Sequence, residues 1–158
     1  MFSFLSFIRA HFRPLFLGLL VLLLVLLGSL SYRQHLDPKP AEVPTQVEVG
    51  ENIYALEIAR TAPELQTGLG GRESLCPSCA MLFLFQKPSQ SGFWMKDMRF
   101  PLDIVWLMDD TVVHIERNIP FDSRETFYPK NEADRVLEFN AGEVKNLDVG
   151  DQVRFSYE

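Results

Sequence analysis

Asp103-Ile104-Val105-Trp106-Leu107-Met108-Asp109-Asp110-Thr111-Val112-Val113-His114-Ile115-Glu116 reads as two strands folded back on each other about a two-residue turn. Asp109-Asp110 has hairpin-turn chemistry, and the runs on either side are rich in β-branched and aromatic residues. The stretch therefore sets the fold class as β. Asp103 is the anomaly in it. Its same-face neighbours at period two are Val105 and Leu107, so the carboxylate points towards a core, where it needs a partner. The expected partners are Arg72, Lys96 or Arg99, together with backbone N–H groups.

Working outward, further strand-like runs fall at Val47 to Val49, Ile53 to Ala59, Met81 to Phe85, Gly92 to Met95, Val136 to Phe139 and Gln152 to Tyr157. One helix is well signalled. Thr61 caps it, Glu64 completes a capping box, Pro63 is tolerated in the first turn, and Gly68, Gly70 and Gly71 end it. A weaker helical turn is expected over Ala141 to Leu147. About eight short strands with one or two short helices predict a mainly-β domain, a sandwich or a distorted, jelly-roll-like barrel.

The N-terminal third reads differently. Leu15 to Leu27 is almost entirely Leu, Val and Phe, preceded by Arg9 and Arg13 without any acid. The pattern predicts a cytoplasmic N-terminus over 1–14, a transmembrane signal-anchor over 15–31, a proline-containing tether over 32–44 and an extracytoplasmic β domain over 45–158. That places the chain as a single-pass protein of the cell membrane. Cleavage after Ser29 and Ser31 is the alternative to a retained anchor. With 158 residues, 47% of them hydrophobic, one domain and its core are accounted for. The net charge of -6, with scattered lysines and arginines, gives no attraction to nucleic acid.

In order along the chain stand Gly68-Leu69, Arg72, Leu75, Met81-Leu82-Phe83-Leu84-Phe85, Phe93-Trp94-Met95-Lys96, Pro101-Leu102-Asp103-Ile104, Val136-Leu137-Glu138, Ala141-Gly142 and Gly150-Asp151. This set resembles the domain-of-unknown-function family number 192, a small secreted or membrane-anchored domain. The resemblance spans nearly all of Val47 to Tyr157 and implies a mainly-β, sandwich-like fold with no settled activity. Two positions depart from it: Gly70 stands where the family commonly has Met, and Ala80 where it commonly has Gly.

The expected site is a cleft walled by Phe93, Trp94, Met95 and Phe100, with Arg72, Lys96, Asp97 and Asp103 as its polar groups. It predicts a binding module for a small molecule, a glycan or an envelope protein, with no cofactor. Two alternatives stay open. One is an acid–base hydrolase pairing Asp103 with Asp97 or Glu138, and the other is thiol-redox work by Cys76 and Cys79. Those cysteines read first as a local disulfide outside the cytoplasm. No metal is expected, since His114 is the only histidine of the β domain and its alternation with Val113 and Ile115 predicts an exposed face. Ser91, His114 and Asp103 lack the spacing of a nucleophile elbow.

Overall fold

The computed structural model describes residues 22–27 and 42–157. Residues 22–27, inside the expected membrane segment, are helical. The rest of that segment, the stretch 1–14 and the tether as far as residue 41 lie outside the described residues. Among the described residues no helix is long and apolar enough to cross a membrane.

The unit Val43–Glu158 is built from nine strands: β1 Pro44–Val49, β2 Asn52–Ala59, β3 Cys79–Ser89, β4 Phe93–Trp94, β5 Leu102–Met108, β6 Thr111–Ile119, β7 Thr126–Phe127, β8 Ala133–Asn140 and β9 Arg154–Tyr157. Seven form one sheet in the order β6-β5-β8-β3-β2-β1-β9, and β4 pairs with β7 alone. Only β2 and β3 run parallel, and their crossover carries the helix Ala62–Thr67. At the sheet's ends, Thr111 of β6 bridges to Gln152, just ahead of β9. Val112 N–H donates to Asp151 and Val153 N–H to Asp110, so the sheet curls until its two edges touch. The hairpin turn forms as expected, with Asp109 and Asp110 both at positive φ.

Curling gives the sheet two buried faces. One encloses Val47, Tyr54, Leu82, Val105, Leu107 and Phe139. The other packs Met81, Phe83, Ile104, Trp106 and Val136 against Phe93 and Leu69 of the segments outside the sheet. Strands β5 and β8 are covered on both sides, which is why they read as nearly continuous apolar runs. Each large side chain sealed this way contributes roughly 1.5–3 kcal/mol. Trp106 is the largest, and its indole N–H donates to the Ser91 carbonyl at 3.2 Å, tying β5 to the chain entering β4.

The helix begins as its capping box predicts: Glu64 accepts from the N–H groups of Arg60 and Thr61 at 3.0 and 2.9 Å. Those backbone donors hold the Glu64 carboxyl below its ordinary value. The helical turn expected over Ala141 to Leu147 does not form. That segment is a run of hydrogen-bonded turns: the Gly142 and Val144 N–H groups go to the Asp103 side chain, while those of Glu143 and Leu147 bond locally to the Asn140 and Val144 carbonyls.

Cys76 and Cys79 are disulfide-bonded, and the second cysteine opens β3. The pair therefore precedes a strand, not the helix N-terminus that lowers a redox-active thiol's pKa. So short a loop contributes about 2 kcal/mol in the chain-entropy account. Replacing both cysteines with alanine should lower stability by no more than that in urea melts. A loss of about 5 kcal/mol would show the bridge holding more than its own loop.

Candidate functional site

Asp103 is fully buried on β5, on the face of Val105 and Leu107 as its alternation requires. Its partners meet the backbone half of the expectation and correct the cationic half. Asn118 N–H donates to Oδ1 at 2.7 Å, and Gly142 and Val144 N–H donate to Oδ2 at 2.8 and 3.3 Å. No cation joins them among the described residues. Between Leu102/Ile119 and Ile104/Glu116 the β5–β6 ladder carries a bulge, with Asn118 at positive φ, and Asp103 takes the N–H so released. The three expected cations are elsewhere: Arg72 bonds Glu57 at 2.6 Å, Arg99 pairs with Glu73, and Lys96 is exposed. Asp103 is a structural clasp between β5, the β6 bulge and the 141–147 turns, as a buried acid accepting backbone N–H groups would be, and it does not line the cavity described below.

The second buried acid is Glu138 on β8, 5% exposed. Its cross-strand neighbours are Met81 on β3 and Ile104 on β5, both apolar. Among the described residues its Oε2 has no hydrogen-bond partner. Burial pushes the carboxyl up to about 8, against a smaller opposing pull from the Arg72 charge. At neutral pH Glu138 is therefore mostly a carboxylic acid, able both to donate and to accept. Asp103 sits opposite Phe139 and Glu138 opposite Ile104, so the two acids occupy opposite faces of the sheet. The Asp103–Glu138 pairing needed for two-carboxylate catalysis is absent from the structure.

Glu138 lines a cavity of about 190 Å³, with Leu65, Gly68, Leu69, Phe83, Phe93 and Trp94 among its walls and Lys96 at its edge. The helix end and the sheet come close because Gly68 carries no side chain: a Cβ there would lie 3.1 Å from Phe83 and 3.7 Å from Glu138 Oε2, at a φ of +50°. Phe93 meets Phe83 and Trp106 edge to face at 4.9 and 5.6 Å, so it serves core and cavity wall together. Outside, Gln66, Thr67, Trp94, Lys96 and Met98 also line an open groove of about 650 Å³ that reaches Asp97. Trp94, 48% exposed, stands between cavity and groove. Gly70, where the family commonly has Met, packs so tightly here that a Cβ would come within 2.9 Å of the Thr67 carbonyl.

Of the expected site residues, then, Phe93, Trp94 and Lys96 meet at one cavity, Asp97 borders the adjoining groove, Arg72 acts on Glu138 only through its charge, and Asp103 lies apart. In the sequence Glu138 stands out only as half of a carboxylate pair. His114 also departs from expectation. Its side chain is 13% exposed, packed against Trp106, with Nε2 2.9 Å from Glu116. Among the described residues no group of three or more His, Cys, Asp or Glu side chains could hold a metal ion.

Fold and cavity together define a curled, mainly-β domain with one buried acid facing an aromatic pocket. The chain belongs to the DUF192 family, described as an uncharacterized ACR, whose pattern matches residues 45–155. Among solved structures it is similar to a protein of unknown function from Novosphingobium aromaticivorans DSM 12444, at 31% identity over 73% of this chain and 89% of that one, TM-score 0.63. It is also similar to a Sinorhizobium meliloti 1021 protein named a "putative transcription regulator", at 25% identity over 75% and 98%, TM-score 0.66. No curated protein matches the chain.

Proposed function

We propose that this domain binds a small ligand in the Glu138 cavity, and that its N-terminal segment holds it outside the cytoplasm. The observation that carries the reading is a buried carboxyl in the wall of a cavity, one of whose oxygens has no hydrogen-bond partner among the described residues. Buried polar groups are ordinarily satisfied, and a ligand entering the cavity can supply the missing partner. Trp94 and the groove beside it extend the contact surface outward. The disulfide supports an oxidising compartment, and Arg9 and Arg13 ahead of an apolar run support export of the β domain. The acidic chain offers a nucleic acid no electrostatic attraction.

A fragment screen by ligand-observed NMR should yield binders that perturb Trp94 fluorescence. Leu65→Trp, which fills the mouth from an incompletely buried helix position, should abolish their binding while leaving the melting temperature within a few degrees. Fragments that bind the blocked variant equally well would place the site elsewhere.

A further inference from the structure

We infer that the ligand class is a primary ammonium compound with a small apolar body, its cation pairing with the Glu138 carboxylate; this rests on the binding reading above. Three features of the cavity point there. The only buried polar group in its wall is an acid whose Oε2 lacks a donor among the described residues, and a cation with N–H groups is its strongest complement. Phe83, Phe85, Phe93 and Trp94 supply aromatic faces, which attract a desolvated cation. Leu65, Leu69 and Met98 offer apolar contact to a hydrocarbon body, with Gln66, Thr67, Ser91 and Lys96 completing the lining.

The neighbouring charges leave this position for a ligand. Along the row that crosses β2, β3, β8, β5 and β6 stand Glu57, Met81, Glu138, Ile104 and Glu116. Glu57 is held by Arg72 and Glu116 by His114, so the two outer acids have hydrogen-bonded partners; the central one feels the Arg72 charge, but among the described residues its Oε2 has no hydrogen-bond partner. Lys96, on the segment after β4, is exposed at the cavity edge and forms no ion pair among the described residues.

Below about pH 8 the free site holds a proton on Glu138. Binding then exchanges it: the carboxylic acid and the ammonium become a carboxylate–ammonium pair, and one proton leaves to solvent. Affinity should therefore rise about tenfold per pH unit between roughly 6 and 7 and level off above about 8. Calorimetry with 2-phenylethylamine, in two buffers of different ionisation enthalpy, should show this rise and close to one proton released near neutrality. 2-Phenylethanol, with the same apolar body, should bind roughly tenfold more weakly at about pH 8.5 and without the pH dependence. Glu138→Gln should reduce the amine to the affinity of the alcohol.

Lys96→Met removes the rim's own positive charge and should strengthen amine binding severalfold. Phenylacetate binding more tightly than the amine to the wild-type protein, and losing that affinity in Lys96→Met, would overturn the inference in favour of an anion held by Lys96. Equal binding of amine and alcohol at the same alkaline pH, or no proton release, would overturn it while leaving the cavity's role intact. No binding of the amine, with other fragments still lost on Leu65→Trp, would do the same. Loss of the fragment result itself would instead remove the reading beneath it.

Discussion

Glu138→Gln should stabilise this domain at alkaline pH by several kcal/mol while changing little at about pH 4.5. In the folded protein burial raises the carboxyl from 4.5 to about 8. Between those values the native state keeps a proton that the unfolded chain has already released. Stability therefore falls as pH rises through this window. The contribution is fully present below the unfolded value, and it is lost as pH passes the folded one. At about 1.4 kcal/mol per unit, the whole span is worth roughly 5 kcal/mol at most. Glutamine keeps the shape and a hydrogen-bonding amide but never ionises. Urea melts of both proteins at about pH 5, 6.5 and 8 should diverge steadily, with the variant ahead by an amount that grows with pH. Parallel curves would show that Glu138 is not held protonated by its surroundings. The comparison must be a difference between the two proteins, because carboxyls such as Glu64, held low by backbone donors, add stability that is lost on acidification in both.

The two buried acids also show what a sequence makes legible. Period-two alternation places Asp103 with Val105 and Leu107, and strand period is a local property, so that inference needs no knowledge of the fold. Its partners come from Gly142 and Val144, which lie 39 and 41 residues further along. That a buried acid accepts backbone N–H groups is expected, but no pattern of side chains says which ones, whereas arginines and lysines announce themselves by name as partners for any acid. Glu138 carries the same local signal. Val136, Leu137 and Phe139 around it are apolar on both faces, the mark of a strand in mid-sheet, and a charge in such a strand is buried whichever way it points. The pattern says that Glu138 is enclosed but not that a cavity meets it. Strand existence is likewise legible for eight of the nine strands. Strand β7, two residues with no periodicity, is not, and neither is the strand order that sets Glu138 and Asp103 on opposite faces. The cavity itself depends on Gly68 drawing helix and sheet together, a contact with the distant strand β8 that only the folded structure brings into view.

Asp103→Ala should be the most damaging single substitution in the domain, and it should leave the ligand cavity alone. The change strips the acceptor from three N–H groups at once, those of Asn118, Gly142 and Val144. A buried donor left without a partner costs about 1–3 kcal/mol. Partial relaxation of the exposed Asn118 end limits the total, so a loss of roughly 3–6 kcal/mol is expected, a large share of the roughly 5–15 typical of a whole domain. Asp103→Asn retains one carbonyl oxygen but turns N–H donors towards the remaining backbone donors. It should fall between wild type and alanine. Asp103 lies on the face of Val105 and Leu107, whereas the cavity opens from the face of Met81 and Ile104. The folded fraction of either variant should therefore bind cavity ligands with unchanged affinity. Chemical denaturation, paired with ligand titration at a temperature where the variant remains folded, separates the two effects. A variant that melts like wild type yet no longer binds would return Asp103 to the site and remove the structural role assigned to it.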